Sequence, residues 1–308
     1  MIITASMRTD IPAFYSDWFL NRVYAGYVDV LNPYSGDVPS YWRYQLNKDV
    51  VDVFSFCTKN PLPLIRNEKF KLFSRVYRQI WGMTITGYDR KVEENTLYTL
   101  DAIHAFRELS REVGSNAVMW RYDPIIFFDD KNNIPEHVAM FSYLAESLSG
   151  YTKKVIISFL DHYNKVNRNL PNGHRPNEDE QYELVYKLSQ VTAMTGMSLY
   201  ICHDNDVDFS DINVVTSGCF TLEEINKALD INLKRPSQSN ARKGCDCVLN
   251  ADIGAYNTCG HKCKYCYATN SHSIGYDKAL RHSDSSSCII GTVPENADIR
   301  NVKQSSWL

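Results

Sequence analysis

The feature that most constrains the fold is a repeated alternation of short apolar runs with helical stretches. Seven runs of β-branched or aromatic residues each stop at an abrupt polar cluster. They lie at residues 2–6, 27–31, 51–56, 83–86, 117–120, 155–159 and 198–201. Strands that are buried on both faces of a parallel sheet have this near-continuous apolar character. No Gly-rich dinucleotide-binding fingerprint follows the first run. We therefore predict an α/β fold built on a TIM-like (β/α) barrel, complete or partial.

Helices between the later runs have identifiable boundaries. One apolar helical face spans residues 100–113 and another spans residues 138–148. The expected boundaries are stops at Gly114 and Gly150 and N-terminal capping boxes at Asn177/Glu180 and Thr221/Glu224.

Composition shifts divide the chain into three parts. Residues 1–230 carry the alternating pattern and are predicted to form the barrel domain. Residues 231–274 are predicted to be a linker followed by a Cys-rich segment that packs on the barrel mouth. Residues 275–308 are polar and Ser-rich, which predicts a loosely held tail.

Bulk properties exclude some classes of protein. The 308 residues have a formal net charge of -3, so the chain is not a polycation that binds nucleic acids or anionic membranes in general. The N-terminus has Arg8 and Asp10 too early for a signal peptide, and no apolar run is long enough to span a bilayer. We therefore expect a cytoplasmic protein with no membrane partner and with reduced thiols.

Five of the nine cysteines crowd into residues 245–266. Cys259, Cys263 and Cys266 have the spacing C-x3-C-x2-C, and three thiolates on a tight loop can hold three corners of an iron–sulfur cubane. The fourth iron would then be open to another ligand. Cys245 and Cys247 could ligate a second cluster, close the first one, or remain unliganded. The competing interpretation is a structural zinc knot that also uses His261.

This spacing, with an aromatic residue just before the third cysteine, resembles the radical S-adenosylmethionine (SAM) superfamily. The resemblance implies a [4Fe–4S] cluster whose open iron binds SAM. Tyr265 fills the aromatic position, and the resemblance implies that it lies close to the adenine of SAM. A reductant such as flavodoxin or ferredoxin is implied as a partner.

Longer stretches resemble one family more closely, the domain of unknown function 1848 family. They are SMRTDIPAFY at residues 6–15, TKNP at 58–61, WRYDP at 120–124 and GAYNTC at 254–259. One departure concerns position, because radical SAM proteins usually carry the three cysteines after the first barrel strand. Here residues 251–255 could be the strand that feeds the loop, with a helix from Tyr267 onward. The barrel would then be circularly permuted, or a C-terminal extension would fold across the mouth.

Polar residues follow several predicted strands, so they should converge at the barrel mouth. The candidate catalytic residues are Arg8, Asp10, Lys59, Asn60, Arg121 and Asp123. Cations at this place suit carboxylates or phosphates. The alternative is that the Arg, Lys and Asp side chains only pair with each other.

These observations leave three functional hypotheses, of which we favour a radical SAM enzyme acting on an unknown small molecule or nucleic acid. The first alternative is a barrel hydrolase or lyase with a structural zinc knot, whose chemistry comes from His162, His203 and the carboxylates of the barrel mouth. The second is a nucleic-acid-processing radical lyase. Its support is a local positive charge, because residues 234–264 hold six Lys and Arg against two Asp.

Overall fold

A computed structural model describes residues 1–161, 164–202, 207–234, 247–248, 251–270 and 278–308. The strands are β1 (Ile2–Thr4), β2 (Tyr27–Leu31), β3 (Ser40–Gln45), β4 (Val53–Thr58), β5 (Arg78–Thr84), β6 (Val118–Ile125), β7 (Phe127–Phe128), β8 (Lys154–Phe159), β9 (Gly173–His174), β10 (Ser198–Ile201), β11 (Val215–Thr216), β12 (Ala251–Asp252) and β13 (Asp298–Asn301).

Helices follow most strands of the main sheet. They are α1 (Ile11–Phe14), α2 (Ser16–Ala25), α3 (Leu62–Ile65), α4 (Phe70–Val76), α5 (Thr99–Val113), α6 (Asn133–Leu148), α7 (Asn164–Asn169), α8 (Glu178–Thr195) and α9 (Leu222–Leu229). None of the helices in the described ranges is long and apolar enough to cross a membrane.

The main sheet has eight strands in the order β11-β10-β8-β6-β5-β4-β1-β12, and every neighbouring pair is parallel. The predicted parallel α/β sheet is therefore confirmed. Its closure into a barrel stays a prediction, since β11 and β12 are the two ends of the hydrogen-bonded order.

The strand at Tyr27–Leu31 forms as predicted, but its assignment to the parallel sheet is wrong. It pairs antiparallel with β3, and β3 pairs in turn with β13 in a separate three-stranded sheet. The buried Asp29 explains this partner, because its carboxylate accepts two hydrogen bonds, 2.7 and 2.8 Å long, from the guanidinium of Arg43 on β3.

The C-terminal tail is also more ordered than its composition predicts. Residues 298–301 add a strand to this small sheet, and the indole of Trp307 is buried. Trp18 donates from its ring nitrogen to the carbonyl of Ser286 over 3.0 Å. The expectation of a loosely held tail is therefore wrong for the described residues 278–308, because they contact residues that are far away in the sequence, such as Trp18 and the strand β3.

Aromatic packing under the sheet fixes the strands that carry the site. Phe56 on β4 stacks on Trp81 of β5 with ring centroids 4.2 Å apart, and both rings are fully buried. Phe19 of α2 contacts Phe56 edge to face at 5.4 Å. Such pairs add stability beyond the buried area, so this packing stabilises the strands β4 and β5.

Most helix boundaries are confirmed. Helix α5 ends at Val113 with Gly114 as its C-cap, and the capping box of Asn177 with Glu180 is complete. Thr221 accepts from the amide of Glu224 at the start of α9, but only this half of the predicted capping box forms, and the Glu224 carboxylate instead accepts from Lys154 and Tyr200. Helix α6 ends at Leu148, just before the expected stop. The helix expected from Tyr267 onward is absent over residues 267–270, and residues 271–277 lie outside the described ranges.

Candidate functional site

The loop that carries the C-x3-C-x2-C cysteines begins at the carboxyl end of β12. This strand lies beside β1, with Ala251 opposite Ile3, and the amide of Ile253 extends the pairing to the carbonyl of Thr4 at 2.9 Å. The prediction of a short strand feeding the loop is therefore confirmed. Gly260 allows a close approach to α1, because a Cβ there would lie 2.8 Å from the Phe14 ring.

Asp10 and His261 join this loop to the ends of β1 and β4. The Nε2 atom of His261 lies 2.8 Å from an Asp10 carboxylate oxygen, and its Nδ1 atom lies 3.0 Å from the carbonyl oxygen of Asn95. Asp10 also accepts from the Thr58 hydroxyl at 2.7 Å and from the Lys59 amide at 2.8 Å. Both side chains are buried. Their hydrogen bonds give Asp10 a positioning role and leave neither ring nitrogen of His261 directed at a metal.

A buried ion pair lies beside the cysteines. The Lys59 ammonium is 2.8 Å from a carboxylate oxygen of Glu93, which also accepts from the hydroxyls of Thr86, at 2.7 Å, and Tyr265. Burial works to lower the pKa of Lys59, but the charges of Glu93 and Cys263 raise it above the ordinary value. Burial likewise works to raise the pKa of Glu93, but Lys59 and the hydrogen bonds hold it below the ordinary value. Both directions describe a stable charged pair.

Two of the motif thiols are hard to ionise without a bound cation. Burial, followed by the nearby Asp10 charge, raises the pKa of Cys259 well above the ordinary thiol value. Burial raises the pKa of Cys263 to about 12, although Lys59 opposes the rise. The charge of a ligated metal would favour deprotonation of these thiols.

A cavity of about 330 Å³ opens at the carboxyl ends of the parallel strands. Cys259, Cys263, Cys266 and Tyr265 form part of its wall, together with Lys59. Its volume lies in the range of roughly 300–1,000 Å³ that is usual for small-molecule sites. The structure therefore brings the predicted cysteines and the predicted mouth to one place.

The opposite part of the wall contains a second charged pair. Arg121 and Asp123, both on β6, form a salt bridge, and the Ser158 hydroxyl donates to Asp123. The Nη1 atom of Arg121 lies 3.6 Å from the sulfur of Cys219. Arg121, Asp123 and Ser158 all line the cavity and can contact a bound polar group.

Two predicted mouth residues have structural contacts instead. Arg8 pairs with Asp252 of β12 through its Nε atom at 2.5 Å, and it donates to the Asp252 carbonyl at 2.6 Å. Asn60 accepts from the amide of Leu62 at the start of α3. Neither is among the residues that line the cavity. The alternative of mutual pairing is therefore the better description of Arg8.

Three candidates, His162, His203 and Cys245, lie outside the described residues. Cys247 is described, and its sulfur lies 3.5 Å from that of Cys219. Among the described residues, no three His, Cys, Asp or Glu side chains are already arranged to hold a single metal ion.

Sequence reasoning missed several cavity residues. Glu93 gave no signal, because it lies in an irregular segment and its partner Lys59 is 34 positions away. Cys57, Cys202 and Cys219 were scattered in the sequence, yet all three line the cavity. Cys57 and Cys202 directly follow predicted strands, and this position was the available signal, although the sequence favours interpreting both as small buried hydrophobic residues.

The fold and the site define a parallel α/β protein with a thiol-lined cavity at the carboxyl ends of its strands. The chain belongs to the family described as Domain of unknown function (DUF1848), whose model matches residues 2–268. That match runs from β1 to just past Cys266, so it includes the sheet and the cysteine loop. No curated protein matches the chain.

Proposed function

We propose that this protein is a radical SAM enzyme. Cys259, Cys263 and Cys266 would hold a [4Fe–4S] cluster, and SAM would bind at the open iron within the cavity. The observation that carries the proposal is that the C-x3-C-x2-C loop follows a strand of the parallel sheet and turns its three cysteines to the cavity.

The strand order supports a permuted version of the expected fold. Starting at β12, the sheet continues through β1, β4, β5, β6, β8, β10 and β11, which is chain order after the first strand. The cysteine loop thus follows the strand that occupies the first place in the sheet. This is the place that the radical SAM resemblance assigns to the loop, although the strand comes late in the sequence.

The donor set suits a cluster with an open iron. His261 is held by Asp10 and Asn95, so it is not placed to serve as a fourth ligand or to complete a zinc knot. Lys59 lies close enough to Cys263 to affect its ionisation, and its positive charge would stabilise a thiolate-ligated cluster.

The chemistry supplied by such a cluster is transfer of one electron to the sulfonium of SAM, which breaks a carbon–sulfur bond and yields methionine and a 5′-deoxyadenosyl radical. The chain's own residues would bind and orient the reactants. Tyr265 is fixed by its hydrogen bond to Glu93 and offers a ring to the adenine. Arg121, Asp123 and Ser158 would bind the polar part of a substrate across the cavity.

The proposal can be tested on the full chain purified without oxygen. Reconstituted protein should contain about four iron and four sulfide per chain at this site. With dithionite as reductant, it should convert SAM to 5′-deoxyadenosine and methionine. Replacing Cys259, Cys263 and Cys266 together by Ala should abolish both the cluster and the cleavage.

Cys288→Ala is the control, because Cys288 is a buried cysteine that contacts Ser286 in the C-terminal segment, away from the cavity. It should retain iron, sulfide and SAM cleavage. Release of 5′-deoxyadenosine by the triple variant would contradict the proposal, as would a fully loaded wild-type protein that leaves SAM intact.

A further inference from the structure

A second group of thiols lines the same cavity away from the motif loop. The sulfur of Cys219 lies 3.6 Å from that of Cys202 and 3.5 Å from that of Cys247. These residues follow β10, follow β11 and precede β12, so three separate segments bring them together. We call Cys202, Cys219 and Cys247 the second thiol group.

Two of the three sulfur separations are close to those around a single tetrahedral ion. Two thiolates that are each about 2.3 Å from one Zn²⁺ lie roughly 3.8 Å apart at tetrahedral angles. The separations of 3.6 and 3.5 Å are close to this value. Thiolates on different irons of a cubane are further apart, because the cluster itself lies between them.

Two cations would offset the charge of such a centre. Arg121 Nη1 lies 3.6 Å from the Cys219 sulfur, and Lys154 Nζ donates to the Cys219 carbonyl over 3.2 Å. Three thiolates and one divalent ion have a net charge of minus one. Both cations also pair with carboxylates, Arg121 with Asp123 and Lys154 with Glu224, and their proximity still offsets part of this buried charge.

We propose that Cys202, Cys219 and Cys247 bind one thiophilic divalent ion of the Zn²⁺ type. The three thiols do not yet surround a common point, so ion binding includes rotation of at least one side chain. All three residues line the cavity, and a zinc ion with three protein ligands keeps its fourth position for water or a substrate donor. The ion would thus anchor a substrate across the cavity from Cys259, Cys263 and Cys266.

This site does not depend on the proposed radical chemistry, and the test separates the two. The starting protein is the full chain in which Cys259, Cys263 and Cys266 are all Ala, so that no metal can bind at the motif. Titration with Co²⁺ should give about one equivalent of bound ion, with thiolate charge-transfer absorption and the visible bands of tetrahedral cobalt.

Adding Cys219→Ser should remove the charge-transfer absorption and weaken Co²⁺ binding at least tenfold, whereas adding Cys288→Ser should leave both unchanged. If the Cys219→Ser variant does not fold, X-ray absorption of the cobalt bound to the starting protein provides a second measurement. It should show three sulfur neighbours at about 2.3 Å.

Three results would overturn the proposal. The first is a folded starting protein that binds no Co²⁺. The second is binding that survives Cys219→Ser. The third is incorporation of iron with sulfide at the second thiol group in place of Zn²⁺ when both are supplied, which would assign a cluster there rather than a single ion.

Discussion

The Lys59–Glu93 pair offers the sharpest test of how the site is built. Replacing Lys59 by Met keeps most of the side-chain volume but leaves the Glu93 carboxylate buried without its cation. The side chains of Lys59 and Glu93 are only 12% and 5% exposed, so solvent cannot replace the lost charge. Removing one partner of a buried pair costs about 3–5 kcal/mol. We expect the free energy of unfolding to fall by that amount at pH 7.

The loss should depend on pH in a defined direction. In the native protein the pKa of Glu93 is below its ordinary value, so the pair contributes stability above the unfolded pKa of about 4.3 and loses it as the pH falls. In Lys59→Met, burial should raise the pKa of Glu93. The deficit of the variant should therefore shrink as the pH is lowered from 7 and Glu93 takes up a proton.

The assay is urea unfolding of the metal-free protein, followed by tryptophan fluorescence. The double variant Lys59→Met/Glu93→Gln removes the unpaired charge and should recover at least half of the loss. Arg66→Met is the matched control, because Arg66 pairs with Glu108 at the surface with 61% of its side chain exposed. It should cost less than about 1 kcal/mol. The reasoning is refuted if Lys59→Met costs no more than Arg66→Met, or if the double variant recovers nothing.

Two further predictions concern the same end of the molecule. Burial lowers the pKa of His137, which accepts from the Tyr122 hydroxyl. The free energy of unfolding should therefore fall by up to about 1.4 kcal/mol for each pH unit below pH 6.5. In urea titrations at several pH values, His137→Gln should reduce this dependence, whereas the control His104→Gln, at an exposed position, should not. Gly260→Ala should press on Phe14 and lower iron loading after reconstitution, whereas Gly36→Ala, which meets nothing within 4 Å, should load normally. Equal loading of the two glycine variants would contradict the close approach.

Local sequence signals were sufficient for the elements that depend on near neighbours. The apolar run at residues 155–159 forms the strand Lys154–Phe159, and the capping box of Asn177 and Glu180 appears where the sequence predicts it. The spacing of Cys259, Cys263 and Cys266 likewise limits their thiols to one short loop. Periodicity, capping and spacing involve residues only a few positions apart, so the chain encodes them without reference to its fold.

Tertiary structure decided which distant segments meet. Tyr27–Leu31 has the apolar character of a parallel core strand, but the pairing of Asp29 with Arg43 accompanies an antiparallel partner. Lys59 contacts Glu93, and Cys219 contacts both Cys202 and Cys247. These residues are so far apart in the sequence that no local pattern predicts the contacts. Burial favours contacts in which charged and polar side chains pair with each other, because an unpaired polar group inside the protein costs free energy of folding. The sequence alone therefore determined most strands of the main sheet, the longer helices and the cysteine motif, whereas packing decided the pairing of the small sheet and which side chains share the cavity.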